Sequence, residues 1–141
     1  MRRALLAAFM FAIACAPASA EVRIESSSGG EVTQFLELFA VLRKSGQRIV
    51  IDGPCYSACT LALSTIPHKR ICVTRRAVLG FHAARLVDER GNEYPAAKAT
   101  RVLAATYPAA IRRWIKRHGG LTDRPIYLRG RELAALYPVC H

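Results

Sequence analysis

Apolar and polar positions along the chain change period several times, and each change predicts an element. Val22 to Glu25 alternates apolar and polar, as a short strand does. Val32, Phe35, Leu36, Phe39 and Leu42 then recur at three- and four-residue steps, one buried face of a helix. Ser28 is the expected cap of that helix, and Gly46 its C-terminal glycine. Residues 47–52, centred on Ile49-Val50-Ile51, predict a buried β-branched strand. Gly53-Pro54 turns the chain. Residues 57–66 are apolar on nearly all sides and predict a buried helix, which Pro67 ends.

The pattern continues with short strands at 70–73 and 77–81, separated by the basic turn Thr74-Arg75-Arg76. Residues 87–95 are polar and read as loop. Residues 96–118 carry helical periodicity through Val102, Leu103, Ile111, Trp114 and Ile115, with Pro108 kinking or dividing the helix. Gly119-Gly120 stops it. A last strand is expected at 126–128 and a short helix at 130–137. Strands alternating with helices predict an α/β fold with right-handed βαβ crossovers and a largely parallel sheet.

The first twenty residues stand apart. Arg2 and Arg3 precede an apolar run, Ala4 to Ala14, and Ala18-Ser19-Ala20 supplies small residues for cleavage. This is the form of an export signal cut after Ala20, leaving one domain at 21–141. An uncleaved anchor, or lipid attachment at Cys15, is the alternative. The 141 residues carry a formal charge of +11; the signal takes two arginines and no acid, so +9 remains. Such a surplus suits an anionic envelope surface, although a solvated basic surface has the same composition. Nucleic acid is not an expected partner of an exported chain. Four cysteines remain, Cys55, Cys59, Cys72 and Cys140, and in an oxidising compartment they suggest two disulfides. Three pairings are open. Cys55–Cys59 with Cys72–Cys140 is preferred, provided that Cys55 lies outside the helix carrying Cys59.

The stretch richest in chemistry is Asp52-Gly53-Pro54-Cys55-Tyr56-Ser57-Ala58-Cys59. A strand runs into a tight turn, and a serine opens a helix whose free amides would face a developing oxyanion. Gly29-Gly30 ends at another helix start and brings backbone close to the same place. A serine nucleophile needs a base. His82 follows the strand at 77–81 and reaches an edge of the same sheet. His68 lies at the far end of the buried helix, His118 in a last helical turn and His141 at the terminus.

Taken jointly, these motifs resemble the caseinolytic Clp peptidase family, a branch of the crotonase-like fold. The resemblance runs from about Ser27 to Glu132. Ser28-Gly29-Gly30 before an amphipathic helix is similar to the family's Ser-Pro-Gly-Gly oxyanion loop, with Ser28 in the proline's place. Tyr56-Ser57-Ala58 resembles the segment around its nucleophile. Lys69-Arg70-Ile71-Cys72 and then 77–82 resemble the strand pair ending in its histidine. Asp123-Arg124, with Glu132 beyond, resembles more loosely the segment holding its aspartate. The resemblance implies a Clp- or crotonase-like βαβ spiral, truncated on its N-terminal side. It also implies Ser57 as nucleophile, His82 as base and Asp123 as its orienting acid, with an oxyanion site formed by Gly29, Gly30 and Ala58. The substrate would be a peptide or protein. No cofactor is implied.

The chain departs from the family in three places. Only the strand at 22–25 precedes the glycine loop, the segment between His118 and Asp123 is short, and the family's Gly-Leu-Val-Asp continuation is missing. Those parts help to form rings and channels, so oligomers are open but a ring is not the expectation. Two classes of function stay in play: a serine hydrolase, and a binding or scaffold protein of the envelope that keeps the fold without turnover. Less favoured readings are a thiol nucleophile at Cys55 or Cys59, zinc at Cys55, Cys59, His68 and Cys72, and a membrane-lying helix bearing Arg112, Arg113, Lys116 and Arg117. No metal site is expected.

Overall fold

The computed structural model describes residues 20–141, so the expected signal and Cys15 lie outside the described residues. The architecture is mixed α/β. β1 (Glu21–Ile24) leads through the Ser26–Gly30 loop into α1 (Val32–Ser45) and then β2 (Arg48–Ile51). β3 (Pro54–Tyr56) follows at once, then a 3-10 turn (Ser57–Leu61) and α2 (Ala62–Thr65). β4 (Ile71–Val73) and β5 (Val78–Phe81) complete this part of the chain. A hairpin of β6 (Arg85–Val87) and β7 (Glu93–Pro95) precedes α3 (Ala97–Thr106) and α4 (Ala109–Arg117). β8 (Ile126–Arg129) and α5 (Gly130–Ala134) close the fold.

The single, largely parallel sheet read from the sequence is replaced by two three-stranded sheets and the separate β6–β7 hairpin. β1, β2 and β4 form a parallel sheet in that order. β3 and β5 are parallel in a second sheet, where β8 adds antiparallel to β5. The reason is a bend shared by three successive passes of the chain. β2 runs into β3 across Asp52-Gly53, and β4 runs into β5 across residues 74–77. β1 runs on to Ser27, which bridges Cys55 in parallel. Each pass therefore contributes to both sheets. Gly53 makes the bend possible, because a Cβ there would meet the Glu25 carbonyl oxygen at 1.9 Å. A second sheet thus arises from a segment that Gly53-Pro54 marks in the sequence as a turn.

The apolar side chains gather into one cluster with Phe39, Ile49, Ile51, Leu79, Phe81, Ile111, Trp114 and Leu128 at its centre. α1 lays Phe39 into it, with Val32, Phe35 and Leu42 packed at the edge. Leu36, expected on that face, is instead 39% exposed. Gly46 caps α1 in the left-handed conformation, as the sequence predicts. Its start differs from expectation. Glu31, not Ser28, is the cap residue, and no side chain closes that end. Ser28 and Gly29 are committed to the loop before it. The expected buried helix at 57–66 is a 3-10 turn followed by one short α-helical turn.

Pro108 divides the long helix into α3 and α4, since a proline there has no amide to give and excludes the preceding residue from helix. Trp114 is 2% exposed, with its ring centroid 5.9 Å from that of Phe81. Residues 87–95, read as loop, hold a turn and a strand of the β6–β7 hairpin instead. The Asp88 carboxylate shapes that turn. It accepts from the Arg90 and Asn92 amides, the Asn92 side chain and the Tyr94 hydroxyl. These bonds, the Asn92 side chain first, hold its pKa below the usual carboxylate value.

Candidate active site

Ser57 stands where β3 ends and the 3-10 turn begins. Its φ is 54°, and among the described residues it alone combines a side chain with positive φ. An L-residue there costs about 1–2 kcal/mol. Such strain persists only where the surroundings over-determine it. Three constraints meet at Ser57. The Tyr56 amide donates to the Ser27 carbonyl at 2.9 Å, which fixes the strand side. The Thr60 hydroxyl donates to the Ser57 carbonyl at 2.7 Å, so the Tyr107 hydroxyl must donate to Thr60 across 2.6 Å. That pair is buried and anchors the helical side. The Cys55–Cys59 disulfide spans the serine itself.

The Ser27–Gly30 loop lies directly against this turn. Ser27 pairs with β3, its amide donating to the Pro54 carbonyl at 2.8 Å. Gly29 has a φ of 85°, and a Cβ on it would stand 2.6 Å from both the Ser57 Cβ and the Tyr56 carbonyl oxygen. The same hypothetical atom would lie 3.1 Å from the Ala58 nitrogen. Only glycine fits such an approach. The Gly29 amide is already engaged by the Ser27 hydroxyl at 3.2 Å. No hydrogen bond from the Gly30 amide is found among the described residues, and Ala58 lies in the first turn of the 3-10 segment, where amides lack a partner within the helix. Of the two, the Ala58 amide directly follows the serine in the chain, and the Gly30 amide directly follows the glycine packed against it.

His82 follows β5, the strand paired in parallel with β3 in the register Tyr56↔Gly80. Ser57 and His82 therefore leave neighbouring strands at the same sheet end. The His82 Nδ1 lies 2.6 Å from the Ala83 carbonyl oxygen. A carbonyl can only accept, so Nδ1 carries the proton and Nε2 keeps its lone pair in the neutral ring. No hydrogen bond joins the Ser57 hydroxyl to His82 among the described residues. Asp123 is nearby in the chain's path, since Thr122 accepts from the Ala83 amide at 2.8 Å. Its carboxylate lies 3.9 Å from the Arg85 Nε and makes no bond to the imidazole. The resemblance implies Asp123 as the partner of the imidazole; here the Ala83 carbonyl accepts from its Nδ1. A backbone acceptor leaves no mark in a sequence. Arg85, Glu93, Tyr94, Pro95 and Asp123 line an open groove next to this sheet end.

Of the other candidates, the cysteines pair as Cys55–Cys59 and Cys72–Cys140, with Cys55 in β3 and Cys59 in the 3-10 turn. No cluster of potential metal ligands is found among the described residues, and none of their helices is long and apolar enough to cross a membrane. His68 contacts the Leu136 carbonyl, and His118 stacks on Trp114. Asp52, just before Gly53, is a buried polar centre whose partners the sequence does not mark. Its carboxylate accepts from Arg76, from Thr74 at 2.6 Å and from Arg23 at 3.0 Å. Those bonds, Arg76 first, hold its pKa well below the usual carboxylate value. The only hint in the sequence is a lone acid ending an apolar strand.

No protein-family model and no curated protein matches the chain. Among solved structures, a point mutant of ClpP1 from Listeria monocytogenes aligns with 84% of this chain and 71% of its own. The two share 14% sequence identity at a TM-score of 0.46.

Proposed function

We propose that the chain is an exported, Clp-like serine hydrolase acting as a peptidase, with Ser57 as nucleophile and His82 as base. The observation that carries this reading is the left-handed Ser57, pressed beneath Gly29 at the open start of the 3-10 turn. A bare structural serine has no need of such strain. In the proposed reaction the Ser57 oxygen attacks a peptide carbonyl and its proton passes to the His82 Nε2. The two amides take up the oxyanion, and the Ala83 carbonyl holds the Nδ1 proton of the imidazolium. His82 then protonates the leaving amine, and water releases the acyl group by the reverse use of the same base. The exposed cations of α4, Arg112, Arg113, Lys116 and Arg117, suit an anionic envelope surface.

A fluorophosphonate probe tests the proposal. The folded protein is expected to be labelled, Ser57→Ala to lose labelling, and His82→Ala to slow it by about 100-fold or more. Unlabelled folded protein would overturn it. A second reading, a binding or scaffold protein without turnover, has its own support: Asp123 is paired with Arg85, and no bond links Ser57 to His82. It predicts no labelling, with peptide binding unaffected by Ser57→Ala.

A further inference from the structure

The Cys55–Cys59 disulfide closes a ring of five residues, and Ser57 is the middle one. On one side the ring is fixed by β3, paired with β5 from Pro54 to Tyr56. On the other it is fixed by the 3-10 turn, tied down through Thr60 and Tyr107. Both sulfurs belong to residues buried to 1% exposure or less. Cut the covalent link, and only the weaker ties remain to oppose relaxation of Ser57 into an ordinary backbone conformation. Strain of this size relaxes unless something holds it. The second disulfide, Cys72–Cys140, has a different place. It joins β4 to the C-terminal segment, already held by the Val73 amide on the Pro138 carbonyl and the Cys140 amide on the Val73 carbonyl.

We infer that Cys55–Cys59 is a positioning clamp that keeps Ser57 in its left-handed conformation, so that reactivity of Ser57 depends on the oxidised pair. The inference rests on the nucleophilic role proposed above. Opening the clamp takes a dithiol reductant. Its two thiolates displace the Cys55 and Cys59 sulfurs in turn, the S–S bond breaks, and the reductant closes to its own disulfide. Two electrons and two protons end on the two cysteine thiols. Cys72–Cys140 carries no such role, and its loss affects stability alone.

The test compares two double variants with the unsubstituted protein by fluorophosphonate labelling rate and thermal melting. Cys55→Ala with Cys59→Ala should lose less melting temperature and slow labelling by about 100-fold, the cost of misplacing a reacting atom by about 1 Å. Cys72→Ala with Cys140→Ala should lose more melting temperature and, below its midpoint, label within about twofold of the unsubstituted rate. A disulfide acting on stability alone cannot give this reversed order. Labelling of the folded Cys55/Cys59 variant at the unsubstituted rate would overturn the inference. Should that variant fail to fold, dithiothreitol treatment of the unsubstituted protein, with alkylated cysteines located by mass, gives the same reading. If the unsubstituted protein is not labelled, the nucleophile proposal fails, and a crystal structure of the Cys55/Cys59 variant decides the clamp by itself. A φ at residue 57 that leaves the positive region supports it, and one that stays near 54° overturns it.

Discussion

Gly29 has a single chemical property, the lack of a side chain, and the site depends on it. Its φ of 85° and the 2.6 Å approach to the Ser57 Cβ leave a methyl group neither a conformation nor a place. Gly29→Ala is expected to destabilise the fold by more than about 1 kcal/mol, exceeding the usual gain from such a swap at a compatible position. It should also abolish probe labelling by pushing the loop off the serine. Urea melts and labelling of the residual folded fraction check both. Asp52 sets a separate expectation in pH. Its folded-state pKa is lowered from an unfolded value of about 3.8. Its contribution is therefore fully present above about pH 4 and is lost as pH falls through the lowered value. Asp52→Asn should melt below the unsubstituted protein at pH 7, and the gap should close toward pH 2.

Elements show how far local pattern reaches. The three- and four-step spacing of Val32, Phe35, Phe39 and Leu42 marks α1, and Gly46 marks its end, because both signals are local. Pro108 divides α3 from α4 for the same reason. β3 was not legible: the three residues following Gly53 look like a turn until Ser27 and β5 arrive on either side. The hairpin escaped as well. β6 and β7 are exposed throughout, so no apolar alternation marks them, and the turn is built by the side chain of Asp88. α4 is the most one-sided element, with Ile111, Trp114 and Ile115 buried under a row of cations. Trp114→Ala should cost about 3–5 kcal/mol, as large-to-small changes in cores do, measured by chemical denaturation. Arg113→Ala, on the solvent side of the same helix, should fall within about 0.5 kcal/mol.

At the scale of the whole molecule, alternating strands and helices foretold an α/β fold but not its division into two sheets. That division depends on a bend repeated in three passes of the chain, which Gly53 permits by meeting Glu25 backbone to backbone. Periodicity reports which residues face inward and not where a path bends. Ser57, the glycine loop and His82, the residues of the proposed site, were legible as residue types, because the proposed chemistry would require each. Their relation was not, since it follows from the parallel register of β3 with β5 and the docking of Ser27 beside them. Nor was the partner of His82, which is a carbonyl. The site proposal reduces to one arrangement: a strained serine, the Gly30 and Ala58 amides and an imidazole at one sheet end. A crystal structure of the protein after fluorophosphonate treatment tests it most directly. The account predicts phosphorus bonded to the Ser57 oxygen, with a phosphoryl oxygen about 3 Å from the Gly30 and Ala58 nitrogens. An unmodified Ser57, or an adduct whose phosphoryl oxygen points away from both amides, would contradict it.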